Sequence, residues 1–307
     1  MAQLQRPAWA YMNGKLVAWD NAALQIGCEA VTRGLNVFEG LKGYWQPDGT
    51  FKMVMLRQHY ERLRRSARLL YIPCDFSYEH YLEAVEKLIA ALVTPEKDMW
   101  ARTTLFVTDG HWGEHTISDL VITAYHQEMK PPASMKIGVS TWRRSSDVAL
   151  PARIKTSSNY QVARLARIEG RPLGYGDMVL LNQSGRVAES TAACLVMVRD
   201  GVIYTPPATE GALESITLDL VEALAQSLGI AFIRRAIDRT ELLVADEIAM
   251  CGTLCEITLA THIENFALSE KSPILSAIQN RYLEAVRGLQ PHPAVEMTAL
   301  NSVRRRV

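Results

Sequence analysis

Four short stretches carry side chains that together could run chemistry on an amine. Lys155, in Arg153-Ile154-Lys155-Thr156-Ser157-Ser158-Asn159-Tyr160, offers a primary amine. Glu189, in Val187-Ala188-Glu189-Ser190, puts a carboxylate on a predicted strand in the middle of the chain, where burial demands a partner. Ser215-Ile216-Thr217 opens a predicted helix, whose first N–H groups and dipole make a natural seat for a phosphate. Cys251-Gly252-Thr253 follows a predicted strand and offers a hydroxyl beside a glycine that lets backbone approach a ligand. Each stretch alone has an ordinary reading: a surface lysine, an outward-facing glutamate, a plain N-cap, a common turn. Together they meet the needs of a pyridoxal phosphate site, which are an amine to bond the aldehyde, an acid to hold the pyridine nitrogen protonated, and donors for a dianion.

The elements that must position these residues follow from periodicity. Asn13-Gly14 joins two short strands within 9–20 as a hairpin turn. Leu56, Tyr60, Leu63, Ala67 and Leu70 recur at helical spacing, which predicts a helix over 56–71 that Pro73 stops. Ser77 caps a second helix that runs to Pro95. Strands are expected near 103–107 and 120–125, with a loop over 108–115. His111 and His115 in that loop invite a metal reading, but Gly110 and Gly113 argue against the helix that would pair them, and no metal is expected. Four short strands between 178 and 204 read as an antiparallel meander. A helix over 216–228 ends before Gly229, Asp238 and Glu241 form a capping box, and 274–289 is a last amphipathic helix. Arg304-Arg305-Arg306 reads as a solvated tail.

The 307 residues have zero formal net charge and ordinary apolar content, enough for two domains. An α+β chain is expected, with a small N-terminal domain over 1–127, a Pro-Pro linker over 128–134, and a larger β-barrel-like cofactor domain with helices over 135–307. No basic excess suits nucleic acid. No apolar run suits a bilayer and no leader is evident, so a cytoplasmic protein is expected. The five cysteines, without paired spacing, read as buried thiols.

The order of motifs resembles the class IV, fold type IV aminotransferases, and most closely the branched-chain amino acid aminotransferases. Val37-Phe38-Glu39-Gly40 is similar to the family's FEG motif, Arg57-x-x-x-x-Arg62-Leu63 to its phosphate-arginine helix, and Lys155-x-x-x-Asn159-Tyr160 to its lysine motif. Ala188-Glu189-Ser190, Thr205-Pro206-Pro207, Ala212-Leu213-x-x-Ile216-Thr217 and Gly252-Thr253-x-x-Glu256-Ile257-Thr258 follow in family order. The resemblance implies that Lys155 bonds the cofactor, Glu189 meets its pyridine nitrogen, Tyr160 lies near the ring hydroxyl and Leu213 packs on the ring face. It also implies that Arg62, Ile216, Thr217 and Thr253 hold the phosphate. Phe38, Thr253 and Leu254 would meet substrate. The 108–115 loop, with His111 and Trp112, would reach a partner's site in a homodimer or larger oligomer.

Departures from the family pattern concentrate on the substrate side. Arg33 stands where an aromatic residue is usual, Lys42 replaces an arginine, Trp100 replaces a tyrosine and Cys194 an asparagine, while Arg102 is kept. Glu214-Ser215 replaces Pro-Gly. Arg33, Lys42 and Arg102 together suit an acidic or polar substrate, unless Arg33 and Lys42 pair with Glu39 or another acid. The expected activity is amino transfer between an L-amino acid, branched-chain-like or atypical, and a 2-oxo acid such as 2-oxoglutarate. A D-amino acid or amine transaminase, an aminodeoxychorismate-lyase-like enzyme, and a non-catalytic cofactor binder are the alternatives.

Overall fold

The computed structural model describes residues 5–302, so the arginine tail at 304–306 lies outside the described residues. The chain divides into two compact units. The first holds residues 5–130, Ile154–Ser158 and 286–302; the second holds Pro131–Arg153 and Asn159–Ala285. The expected single break at 128–134 therefore marks only the first of four crossings. The Lys155 segment and the C-terminal stretch return to the first unit rather than staying with 135–307.

In the first unit, β1 (Trp9–Met12) and β2 (Lys15–Ala18) form the expected hairpin, with Asn13 and Gly14 both at positive φ. After the short α1 (Glu29–Thr32) come β3 (Asn36–Trp45), β4 (Phe51–Val54), α2 (Leu56–Leu69), α3 (Tyr78–Leu92), β5 (Asp98–His111) and β6 (Glu114–Gln127). The Ser77 side chain caps α3 by accepting the His80 N–H at 3.2 Å. Seven strands make an antiparallel sheet in the order Met297–Ala299, β4, β3, β5, β6, β1, β2. One face packs on α2 and α3: Val37, Leu41 and Trp45 of β3 join Leu56, Tyr60 and Leu63 of α2 and Val85, Leu88 and Ile89 of α3 in one apolar core. Each such fully buried aliphatic side chain contributes about 1.5–3 kcal/mol.

The 108–115 segment is not a loop. β5 and β6 run on as a ladder to His111 and Glu114, with register shifts near Asp109, and turn at Trp112 and Gly113, both at positive φ. Its polar residues lack alternation because little core lies under them, so the strand signal is absent while the backbone pairing persists.

In the second unit, β7 (Met135–Arg143), α4 (Tyr160–Gly170), β8 (Asp177–Leu181), β9 (Val187–Ser190), β10 (Cys194–Arg199), β11 (Val202–Thr205), α5 (Ile216–Ser227), β12 (Phe232–Arg234) and α6 (Arg239–Leu242) follow in order. β13 (Glu247–Gly252), β14 (Glu256–Ile263), β15 (Phe266–Ala267) and α7 (Pro273–Val286) complete it. The sheet order is β12-β11-β10-β13-β14-β7-β8-β9, with β15 on β14. The expected meander is instead two hairpins, β8/β9 and β10/β11, at separate places in the sheet. β7 inserts parallel to β8 and β14, and β13 takes the other side of β10. Short apolar strands buried on both faces, such as Asp177–Leu181, carry no pattern that names their neighbour. The capping box at Asp238 and Glu241 is present. Among the described residues, no helix is long and apolar enough to cross a membrane, and no cluster of three or more His, Cys, Asp or Glu is placed to hold a metal.

Candidate active site

Strand β3 organises the candidate residues of the first unit, because its alternation sends two different sets of side chains to its two faces. On the helix-covered face Glu39 is fully buried against α2. Its Oε1 accepts from Arg62 Nε, and its Oε2 accepts from Arg62 Nη2 and His59 Nδ1, each at 2.7 Å. Burial alone would push the Glu39 carboxyl up, but the charge and hydrogen bonds of Arg62, with the bond from His59, outweigh it and hold the group at about 2. Burial pushes His59 below its ordinary value against the pull of Glu39. A neutral imidazole with its proton on Nδ1 satisfies that carboxylate. Arg62, expected on a phosphate, thus commits two of its nitrogens to Glu39.

The other face of β3 carries Phe38 and Lys42. Across the ladder Gly40 lies opposite Arg102 and Lys42 opposite Trp100, whose ring stacks on Tyr125 at 4.5 Å. Lys155 is tied to this unit by its own peptide. Its N–H donates to Ser66 Oγ on α2 at 3.1 Å, and its carbonyl accepts the Phe38 N–H at 2.9 Å. Lys155 Nζ then lies 5.1 Å from the centre of the Phe38 ring, and the Arg102 guanidinium lies 3.7 Å from the same ring. Arg102 Nη2 also donates to Ser157 Oγ at 3.3 Å, and Ser157 donates to Asn36 Oδ1 at 2.7 Å. Lys155, Phe38 and Arg102 are therefore one cluster.

Arg33, Lys42, His111 and Trp112 are placed differently. Arg33 Nη1 pairs with Glu29 Oε1 at 3.0 Å and its guanidinium covers the Trp112 ring at 4.6 Å. Glu29 Oε1 also accepts the Trp112 N–H at 3.2 Å, so α1 and the hairpin tip are held together. His111 sits edge-on to Trp112 at 6.3 Å. Lys42 is 1% exposed, 5.4 Å from the Tyr44 ring centre, and its charge acts on Asp98. Of the two expected pairings, Arg33 has one with Glu29, while Glu39 is taken by Arg62 and His59.

In the second unit, Glu189 lies on β9, buried on every residue of that strand. Its Oε2 accepts the Leu213 N–H at 3.0 Å and its Oε1 faces Arg144 Nη2 at 3.2 Å. Leu213 is thus fixed beside the carboxylate, and its carbonyl receives the Cys194 thiol at 3.5 Å. Ser215 caps α5 by accepting the Leu218 N–H at 3.2 Å, which leaves Ile216 and Thr217 in the first turn, where N–H groups have no intrahelical acceptor. The Thr217 and Thr253 hydroxyls stand 3.4 Å apart. Gly252 is closely hemmed: a Cβ there would meet Ala193 Cβ at 3.2 Å and Cys255 Sγ at 3.3 Å. Tyr160 begins α4 and Leu254 is partly exposed in the turn after β13. Within the second unit, two hydroxyls near a helix start are donors that suit a phosphate, and a pinned carboxylate suits a protonated ring nitrogen.

Arg144, Ser66 and His59 were not anticipated. For Ser66 and His59 a signal existed: His59, Arg62 and Ser66 recur at i, i+3 and i+7 beside the apolar stripe of α2. For Arg144, next to Arg143 in sequence, nothing distinguishes the buried guanidinium from the exposed one.

Solved structures match this architecture along nearly the whole chain. The branched-chain aminotransferase of Thermoproteus uzoniensis, solved with norvaline, superposes at a TM-score of 0.89 with 28% identity, covering 96% of this chain and 99% of that one. The branched-chain amino acid aminotransferase of Thermobaculum terrenum, solved in its PLP holo-form, gives 0.86 with 29% identity over 95% and 98%. The fold is that of the fold type IV enzymes. A probable branched-chain-amino-acid aminotransferase of Synechocystis sp. is 30% identical over 292 residues, 92% of this chain and 93% of that protein. Residues 36–263 match the family model described as amino-transferase class IV, and the chain belongs to that family.

Proposed function

We propose that this aminotransferase uses pyridoxal 5'-phosphate bonded through Lys155 to move an amino group between an L-amino acid of the branched-chain kind and a 2-oxo acid such as 2-oxoglutarate. The observation that carries the reading is the Lys155 peptide, held at its N–H by Ser66 and at its carbonyl by the Phe38 N–H. A side chain that must reach a reacting carbon repeatedly needs a backbone that does not move. The cofactor, when bound, supplies an aldehyde carbon that exchanges amines and a protonated ring that draws electrons from the substrate's α-carbon. Lys155 is the base that takes the α-proton and returns it. Glu189 holds the ring nitrogen's proton. Arg62, Ile216, Thr217 and Thr253 bind the phosphate, Tyr160 lies near the ring hydroxyl, and Leu213 packs on the ring.

On the substrate side, Phe38 supplies an apolar wall and Arg102, fixed over it, a cation for the second carboxylate of a dicarboxylic partner. Arg33 pairs with Glu29, so the acidic-donor idea rests on Arg102, which shares the Phe38 ring with Lys155, and on Lys42 of the same β3 face. Likeness to the branched-chain enzymes also supports a cytoplasmic homodimer. The test is spectral. The purified protein is yellow, and norvaline, valine or leucine bleaches it in seconds while 2-oxoglutarate restores the colour. Bleaching by aspartate in preference to valine would overturn the branched-chain reading, and bleaching by D-amino acids or amines alone would move the enzyme to another activity of the fold. Lys155→Ala is expected to lose the visible band and at least about 1000-fold in kcat.

A further inference from the structure

Arg144 is a buried cation with no task in that scheme. It follows β7, is 5% exposed, and its guanidinium reaches three separate segments of the second unit. Nη2 lies 3.2 Å from Glu189 Oε1 on β9, Nε donates to the Gly211 carbonyl at 3.2 Å, and Nη1 donates to the Asn159 carbonyl at 3.3 Å, just before Tyr160. Its own peptide is closed as well, the N–H on the Leu181 carbonyl at 2.9 Å and the carbonyl on Gln183 Nε2 at 2.8 Å. A guanidinium keeps its charge and presents donors in one rigid plane, which suits three fixed acceptors as an ammonium does not.

We propose that Arg144 is a positioning residue that keeps the cofactor's ring nitrogen protonated by holding Glu189 as a carboxylate. The proposal rests on the role of Glu189 given above. A buried acid and a pyridine nitrogen share one proton, and a low-dielectric surrounding favours the neutral pair, with the proton on the acid. A fixed cation 3.2 Å from Oε1 is the counter-charge that a carboxylate, and not a neutral acid, calls for. The Leu213 N–H on Oε2 acts in the same direction. Through Gly211 and Asn159 the same guanidinium also sets the backbone that carries Leu213 and Tyr160.

Wild type, Arg144→Met, Arg144→Gln and Arg144→Lys are reconstituted with pyridoxal phosphate labelled at the ring nitrogen, and the nitrogen NMR shift is read. The wild type gives a pyridinium shift. Arg144→Met and Arg144→Gln move it to the neutral-pyridine position and lose about 10- to 100-fold in kcat, the range one charge-assisted hydrogen bond carries. Arg144→Lys keeps the charge and the pyridinium shift, while melting of the apoprotein falls in all three. Should Arg144→Met fail to fold, Arg144→Gln, which keeps polar contacts, carries the comparison. A pyridinium shift in the neutral variants would reduce Arg144 to a structural role and overturn the proposal. A neutral ring in the wild type itself would overturn the role of Glu189 instead.

Discussion

Glu39 shows at the scale of one residue how a buried charge is held. Its folded value of about 2 lies below its ordinary 4.5, so the stability it contributes is complete above 4.5 and is lost as pH falls toward 2. That shift corresponds to about 3 kcal/mol. His59 is lowered from 6.5 by burial, and it too resists a proton that the unfolded chain accepts, so its loss begins as pH falls below 6.5. Urea midpoints are expected to drop from pH 7 to pH 3. Glu39→Gln, which leaves Arg62 buried without its carboxylate, is expected to lose about 3–5 kcal/mol at pH 7. It should also flatten the pH dependence below 4.5. An unchanged slope in that window would show that the acid sensitivity arises elsewhere.

At the scale of elements, α2 carries two stripes, and only one could be read in advance. Leu56, Tyr60, Leu63 and Ala67 announce the core face because apolar residues at helical spacing have one explanation. On the second stripe Arg62 stood out only by resemblance, and the partners of His59 and Ser66 stayed hidden, because nothing local says that β3 brings a carboxylate and that the 154–158 segment brings an N–H. The same limit hid the length of β5 and β6, whose tip pairs through backbone alone. Short contiguous patterns were easier to place: Glu189 lies on a strand, Thr217 in the first turn of a helix and Thr253 just after a strand. Ser66→Ala tests the polar stripe. It removes the acceptor of the part-buried Lys155 N–H, so it is expected to cost about 1 kcal/mol. With Lys155 in the role proposed above, that peptide aims the amine, and kcat should fall more than KM rises. Ser66→Thr, which keeps the hydroxyl, is expected to restore most of both; a full loss in Ser66→Thr would trace the defect to packing.

For the whole molecule, the chain's two units are not its two halves. A break sought along the sequence finds the Pro131-Pro132 pair, whereas residues 286–302 return to the first unit for reasons that no linear pattern shows. Met297–Ala299 adds an edge strand to β4, Gln46 Nε2 donates to the Val286 carbonyl at 3.0 Å, and Arg287 Nη2 pairs with Asp98 Oδ2 at 2.8 Å. Asp98 is 1% exposed and also accepts the Trp45 N–H at 3.2 Å. Burial raises its pKa in spite of Arg287, so this carboxylate favours the fold at low pH and opposes it as pH rises through its folded value. Removing the cation must sharpen that opposition. Arg287→Ala is therefore expected to cost about 3–5 kcal/mol at pH 8, and less at pH 3, below the ordinary carboxylate value of 3.8, where Asp98 no longer needs a counter-charge. The check is a urea series at the two pH values for the wild type and the variant. An equal cost at both would mean that Arg287 acts through its packing on Tyr44, whose ring centre lies 5.6 Å away, and not through its charge.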